Sequence, residues 1–160
     1  MFFIGIITDK NSENNIKNIM QDKIDENKII FLSKENLENF RNVKFDSIII
    51  NEEVDNEYAL NKILEKSKYI VWNSDIHCKS DNLKKKYSNV ITYGYNSKAT
   101  VTISSVTEEN YLIFIQENIS VKNKIECIQE IKFEKKQNNI NAYDGMIMTI
   151  MDLIYDKNKK

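Results

Sequence analysis

Short apolar runs alternate with amphipathic stretches along the first two-thirds of the chain. Runs at residues 2–8, 28–32, 47–51, 69–73 and 90–93 are almost unbroken in Ile, Val, Phe and Tyr. Such continuous runs are expected of parallel strands covered on both faces. Helix-length segments lie between them, at 14–23, 34–42, 56–66 and 79–87. Ser33, Asp55 and Ser80 are placed to cap three of these helices. Strand and helix in strict alternation predict βαβ units and an open twisted sheet with helices on both sides.

The pattern then changes. Residues 100–106 and 111–117 alternate apolar and polar positions around Thr107, Glu108, Glu109 and Asn110, which predicts a hairpin with a polar turn. Residues 124–133 add one or two further strands. A last helix runs over 141–155, with Tyr143, Met146, Ile147, Ile150, Met151 and Ile154 on one stripe facing the sheet. The expected fold class is a three-layer α/β sheet, mainly parallel, with a C-terminal antiparallel section and a final helix. No linker composition or repeat divides the chain, so one domain is expected over 1–160: parallel units to 96, the antiparallel section over 97–135, the last helix over 140–156.

Composition narrows the partners. The 160 residues carry a formal net charge of -1, which provides no overall attraction for nucleic acid or an anionic membrane. The basic runs at 84–86 and 157–160 read as solvated surface, and the aromatic residues fall at core spacing rather than in a basic stripe. The N-terminal apolar run is too short for a signal h-region or a membrane span, and a cytoplasmic location is expected. Cys78 and Cys127 can pair, but free thiols are the expectation for a chain with no secretory signal. His77 beside Cys78 supplies neither a zinc set nor a catalytic pair, because adjacent side chains diverge.

Candidate chemistry gathers after the strands. The segment Asp9-Lys10-Asn11-Ser12-Glu13 follows the first strand, where α/β nucleotide-binding proteins carry a glycine-rich phosphate loop. It holds no glycine, and Glu13 adds negative charge where a phosphate would sit. A surface connector capped by Ser12 is expected, with anion binding at the helix start through Lys10, Asn11 and Ser12 as the alternative. Asn51, Glu52 and Glu53 follow the third strand and could hold magnesium through oxygen; acidic loop residues are more often simply solvated. Asn73, Ser74 and Asp75 follow the fourth, where Asp75 either accepts a ribose hydroxyl or caps the next helix. Asn141 reads as a helix cap and Asp144 as an exposed helix-surface acid. Gly94 permits a sharp exit from its strand, and Gly145 allows close approach of the last helix to the sheet.

The order of these segments resembles the ATP-binding central domain of the Mur ligases and their folylpolyglutamate synthetase relatives. The likeness rests on residues 4–11 for the first strand and phosphate loop, on 45–51, on 69–75, on Thr92-Tyr93-Gly94 with Ala99, and on Asn141-Ala142-Tyr143-Asp144-Gly145-Met146. It implies a stand-alone form of that domain. It also implies a departure from it. The family's Gly-Thr-Asn-Gly-Lys-Thr loop has lost its glycines and its Lys-Thr pair here, and no histidine follows Asn51. The implied function is a non-catalytic binding or scaffold protein, with no cofactor favoured and a link to cell-wall metabolism. The alternatives are nucleotide binding without hydrolysis, through Asn73, Asp75, Asn141 and Asp144, and a subunit of an ATP- and magnesium-dependent amide ligase completed by a partner chain. An unidentified protein or small molecule is the expected partner, with self-association through unpaired sheet edges a further option.

Overall fold

The computed structural model describes residues 2–76, 80–136 and 139–156. His77, Cys78 and the basic run at 157–160 lie outside these residues. Five strands, β1 (Ile4–Ile7), β2 (Ile29–Leu32), β3 (Ser47–Ile50), β4 (Tyr69–Asn73) and β5 (Val90–Tyr93), pair in parallel. Helices α1 (Lys10–Met20), α2 (Glu57–Lys66) and α3 (Ser80–Lys86) connect or flank them. β6 (Val101–Val106) joins β5 in parallel through Tyr93 and Val101, then pairs antiparallel with β7 (Asn110–Ile115). A small hairpin of β8 (Ile119–Val121) and β9 (Lys124–Glu126) leads into β10 (Gln129–Glu134), which pairs antiparallel with β7. The main sheet has the order β10-β7-β6-β5-β4-β3-β1-β2, and α4 (Ala142–Tyr155) ends the described chain.

Strand periodicity divides the interior in two. Ile4, Ile6, Ile49, Tyr69, Val71, Ile91 and Tyr93 face α1 and α4. Ile7, Ile48, Ile50, Ile70 and Trp72 face α2, with Leu83 and Tyr87 of the α3 region packed beside them. The result is the three-layer arrangement that the uninterrupted apolar runs call for. α4 is buried on nearly every side, because Met146, Ile147, Met148, Ile150, Met151, Leu153 and Ile154 leave it no polar face. A Cβ on Gly145 would stand 3.1 Å from the Tyr111 ring, so the glycine lets the helix lie close against β7.

Three local expectations are corrected. The segment 34–42 forms only a short 3-10 turn, Leu37–Phe40. Ser33 and Asn36 exchange side-chain-to-backbone hydrogen bonds there, at 2.8 and 3.3 Å, in the reciprocal pattern of a helix start, but the chain continues only as turns and one 3-10 turn. The cap of α2 is Asn56, whose side chain accepts from Ala59 N–H at 3.0 Å, rather than Asp55. α1 begins at Lys10 instead of residue 14. The β8–β9 hairpin has Lys122 and Asn123 at φ of 48° and 66°, a turn with no glycine to announce it.

The layered packing sets stability. Ile49→Ala, which empties a fully buried site under α1 and α4, is expected to cost about 2–5 kcal/mol in urea unfolding. Ile125→Ala, at a position 67% exposed, is expected to change it by less than about 0.5 kcal/mol.

Candidate functional site

The chain leaves β1 for the outer strand β2 and returns on the other side of β1 as β3. In open α/β sheets this change of direction opens a crevice at the carboxyl ends of the two strands, where ligands bind. Here it is bridged. Asn51 follows β3 and donates from Nδ2 to Thr8 Oγ1 at 3.0 Å. Its Oδ1 accepts from Asn73 Nδ2 at 3.0 Å and from the Tyr93 hydroxyl at 2.8 Å. A continuous set of hydrogen bonds therefore ties together the ends of β1, β3, β4 and β5. Burial, then the negative charge of Asp144, pushes the Tyr93 phenol far above its ordinary range and keeps it a neutral donor.

The start of α1 is occupied from within the chain. Asp9 has extended backbone and its Oδ1 accepts from the N–H groups of Asn11 and Ser12 at 2.9 and 3.0 Å. These are the unpaired donors that would otherwise face an incoming anion. Asp9 is the cap, and the expected role of Ser12 as cap is corrected: its side chain is buried, with a hydroxyl that has no hydrogen-bond partner among the described residues. Lys10 reaches Glu13 at 3.1 Å and Lys17 reaches it at 2.5 Å. The hydrogen bond from Lys17 leads the effects that hold the Glu13 carboxyl below its usual range, against the opposing effect of burial.

Asp75 fastens the next two loops. Its carboxylate accepts from Tyr95 N–H (2.7 Å), Asn96 N–H (3.3 Å), Asn96 Nδ2 (2.8 Å) and the Tyr143 hydroxyl (2.9 Å). A Cβ on Gly94 would lie 2.7 Å from this carboxyl group, so close approach explains the glycine. Burial pushes the Asp75 carboxyl up, but the bonds from Asn96, Tyr95 and Tyr143 outweigh it and hold it below its usual range. Burial, then the bond to Asp75, raises Tyr143 to about 12. The Tyr143 ring meets Tyr93 and Tyr95 edge-on, with centroids 6.4 and 5.5 Å apart.

Asn141 caps α4 in a reciprocal box with Asp144: Asn141 Oδ1 accepts from Asp144 N–H at 2.9 Å, and Asp144 Oδ2 accepts from Asn141 N–H at 3.4 Å. Asp144 is not exposed. It is fully buried, and Asn15 of α1 donates to its Oδ2 at 2.8 Å while also donating to the Asn139 carbonyl at 3.1 Å. Its Oδ1 has no hydrogen-bond partner among the described residues.

The structure thus brings Asn51, Asn73 and Asp75 to one edge, and the Tyr93–Tyr143 contact connects them to Asn141 and Asp144. Lys10 and Asn11 stand apart on the exposed first turn of α1. Glu52 pairs with Lys34 at 3.5 Å, and Glu53 is exposed. Among the described residues no group of three or more His, Cys, Asp or Glu is arranged to hold a metal, and no helix is long and apolar enough to cross a membrane. Thr8, Asn15, Tyr93, Tyr95, Asn96 and Tyr143 were not read as site residues from the sequence. Asn15 carried a usable signal, since Ser12, Asn15, Ile16, Ile19 and Met20 form one helical stripe in which two polar residues stand among apolar ones.

Among solved structures, UDP-N-acetylmuramate-alanine ligase MurC from Thermotoga maritima is similar over 98% of this chain and 42% of its own length, with a TM-score of 0.50 and 13% sequence identity. At that identity the likeness is one of fold, and the fold is Mur-ligase-like. No protein-family profile and no curated protein matches the sequence. The chain spans less than half of that ligase.

Asp75 gives the site a pH signature. An aspartate unfolds to a pKa of about 3.9, and the folded value lies lower. Its contribution is therefore complete above about pH 4 and is lost as pH falls through the folded value. Asp75→Asn is expected to flatten the acid limb of a stability–pH profile. Tyr143 acts at the other end: its contribution is complete below about pH 10 and falls away as pH rises toward about 12. Tyr143→Phe is expected to remove part of that alkaline loss.

Proposed function

We propose that this protein is a non-catalytic binding or scaffold protein on a Mur-ligase-like fold, one that does not hydrolyse ATP. The observation that carries this reading is the Asp9 carboxylate on the N–H groups of Asn11 and Ser12. A magnesium triphosphate entering there meets a bound carboxylate, then Glu13 with its flanking lysines already engaged. The residues present do not suit that group. Asn51 spends its amide on Thr8, Asn73 and Tyr93, so it is not a ready magnesium ligand. Removing the phosphate contacts of such a fold removes the means of forming an acyl phosphate while leaving the sheet and its interior intact.

In this reading the protein is cytoplasmic and binds a protein or a small molecule at the carboxyl edge of its sheet. The name of the matched ligase, which joins alanine to UDP-N-acetylmuramate, supports cell-wall metabolism as the setting. A second reading, nucleoside recognition without hydrolysis, draws on Tyr95, which is 57% exposed and stands edge-on to Tyr143 beside Asp75.

Thermal unfolding with magnesium–ATP and with adenosine tests both. A ligand at about 100 times its Kd adds about 2.7 kcal/mol and shifts Tm by roughly 5–10 °C in a chain of this size. The proposed function predicts no shift with either compound. Equal shifts would select the second reading. A saturable shift with ATP alone, or ATP hydrolysis abolished by Lys10→Ala or Ser12→Ala, would overturn the proposal.

A further inference from the structure

β10 closes the main sheet on one side, and among the described residues no strand pairs with its outer edge. The register with β7 and the bond from Lys135 N–H to the Glu109 carbonyl (2.8 Å) turn the backbone of the odd-numbered residues toward β7. The N–H and C=O groups of Glu130, Lys132 and Glu134 therefore point to the open edge. A cavity of about 220 Å³ beside the strand is bordered by Lys132, Phe133 and Glu134 and, across it, by Ile19 of α1 and by Ile140.

Charges on an edge strand commonly guard against further pairing. Here the sign alternates residue pair by residue pair: Glu130, Lys132 and Glu134 share one exposed face of the strand. Two copies paired antiparallel about Ile131 place each Glu130 opposite the partner's Lys132, through residues whose backbone groups are free to bond. This register runs over residues 129–133, the body of the strand. Pairing about Lys132 would set lysine against lysine and Glu130 against the partner's Glu134. Pairing about Phe133 would overlap the strand only over 132–134. Within one copy the Glu130 carboxylate accepts a hydrogen bond of 2.5 Å from Ser104 of β6, across β7, and Lys132 lies 3.9 Å from Glu134 of its own strand, so both charges exchange these partners for cross-strand ones when two copies pair. Ile128, 58% exposed just before the strand, gains cover from the partner's strand end.

We propose that the outer edge of β10 is a self-association surface, on which a second copy of this chain adds its own β10 in antiparallel register centred on Ile131. The pairing makes one continuous sheet across the two copies, with cross-strand Glu–Lys contacts on its exposed face. This inference is independent of the proposed function, because it uses the outer edge of β10 and none of the contacts of Asp9, Asn51 or Asp75.

Sedimentation velocity at about 100 µM and low salt, a concentration suited to the micromolar affinity of a small interface, reads the outcome. The unaltered protein is expected as a dimer. Lys132→Glu, which places acid against acid, is expected as a monomer, and Glu130→Lys combined with Lys132→Glu as a dimer again. Circular dichroism melting of each variant confirms that it is folded. A monomeric unaltered protein, a dimer that persists in Lys132→Glu, or a folded double variant that stays monomeric would each overturn the proposal.

Discussion

The Asp9 carboxylate resting on the N–H groups of Asn11 and Ser12 decides how the carboxyl edge of this sheet can be used. A helix start has a small set of unpaired donors and a partial positive charge, and both attract whatever anion reaches them. In this chain the anion is built in, two residues after the end of β1. The helix then begins at Lys10 with no intervening loop, and the i,i+3 and i,i+4 pairs of Glu13 with Lys10 and Lys17 support its first turns. The same contact that starts the helix occupies donors that would otherwise attract an anion.

The rest of the edge follows the same pattern of internal satisfaction. Asn51 closes the crevice between β1 and β3, and Asp75 holds the loop after β5 to the start of α4 through Tyr143. Asn15 and Asp144 fasten α1 to α4. These are polar residues at the place where such folds bind ligands, yet most of their atoms face one another. Two do not: Ser12 Oγ and Asp144 Oδ1 are buried without a hydrogen-bond partner among the described residues. Unpaired buried oxygens are costly, and they lie on the two helices joined by the Asn15–Asp144 bond. The edge is therefore tightly knit around Asn51 and Asp75 and incompletely paired around α1 and α4.

Much of the architecture was legible because strands buried on both faces must be apolar throughout. The runs at 47–51, 69–73 and 90–93 leave no alternative that buries them as well, and the polar turn at 107–110 separates β6 from β7 as its pattern indicates. Segment 34–42 misled because its spacing and its reciprocal Ser33–Asn36 bonds both suit a helix start, yet only a 3-10 turn follows. Residues 10–13 misled in the opposite sense, since a turn without glycine can be a loop or a helical turn until its cap is known. Asp144 was read as exposed from its type alone. Its burial depends on Asn15, more than a hundred residues earlier, and that distance is closed only by the tertiary fold. Asn51 and Tyr93 are readable as strand residues, but not as partners.

The central claim concerns two backbone amides, and it is most directly tested by following the Asn11 and Ser12 amide resonances by NMR while inorganic triphosphate and magnesium are added. With Asp9 already seated on those donors, both signals should stay where they are throughout the titration. Saturable movement of both, with the anion displacing the aspartate, would contradict the account.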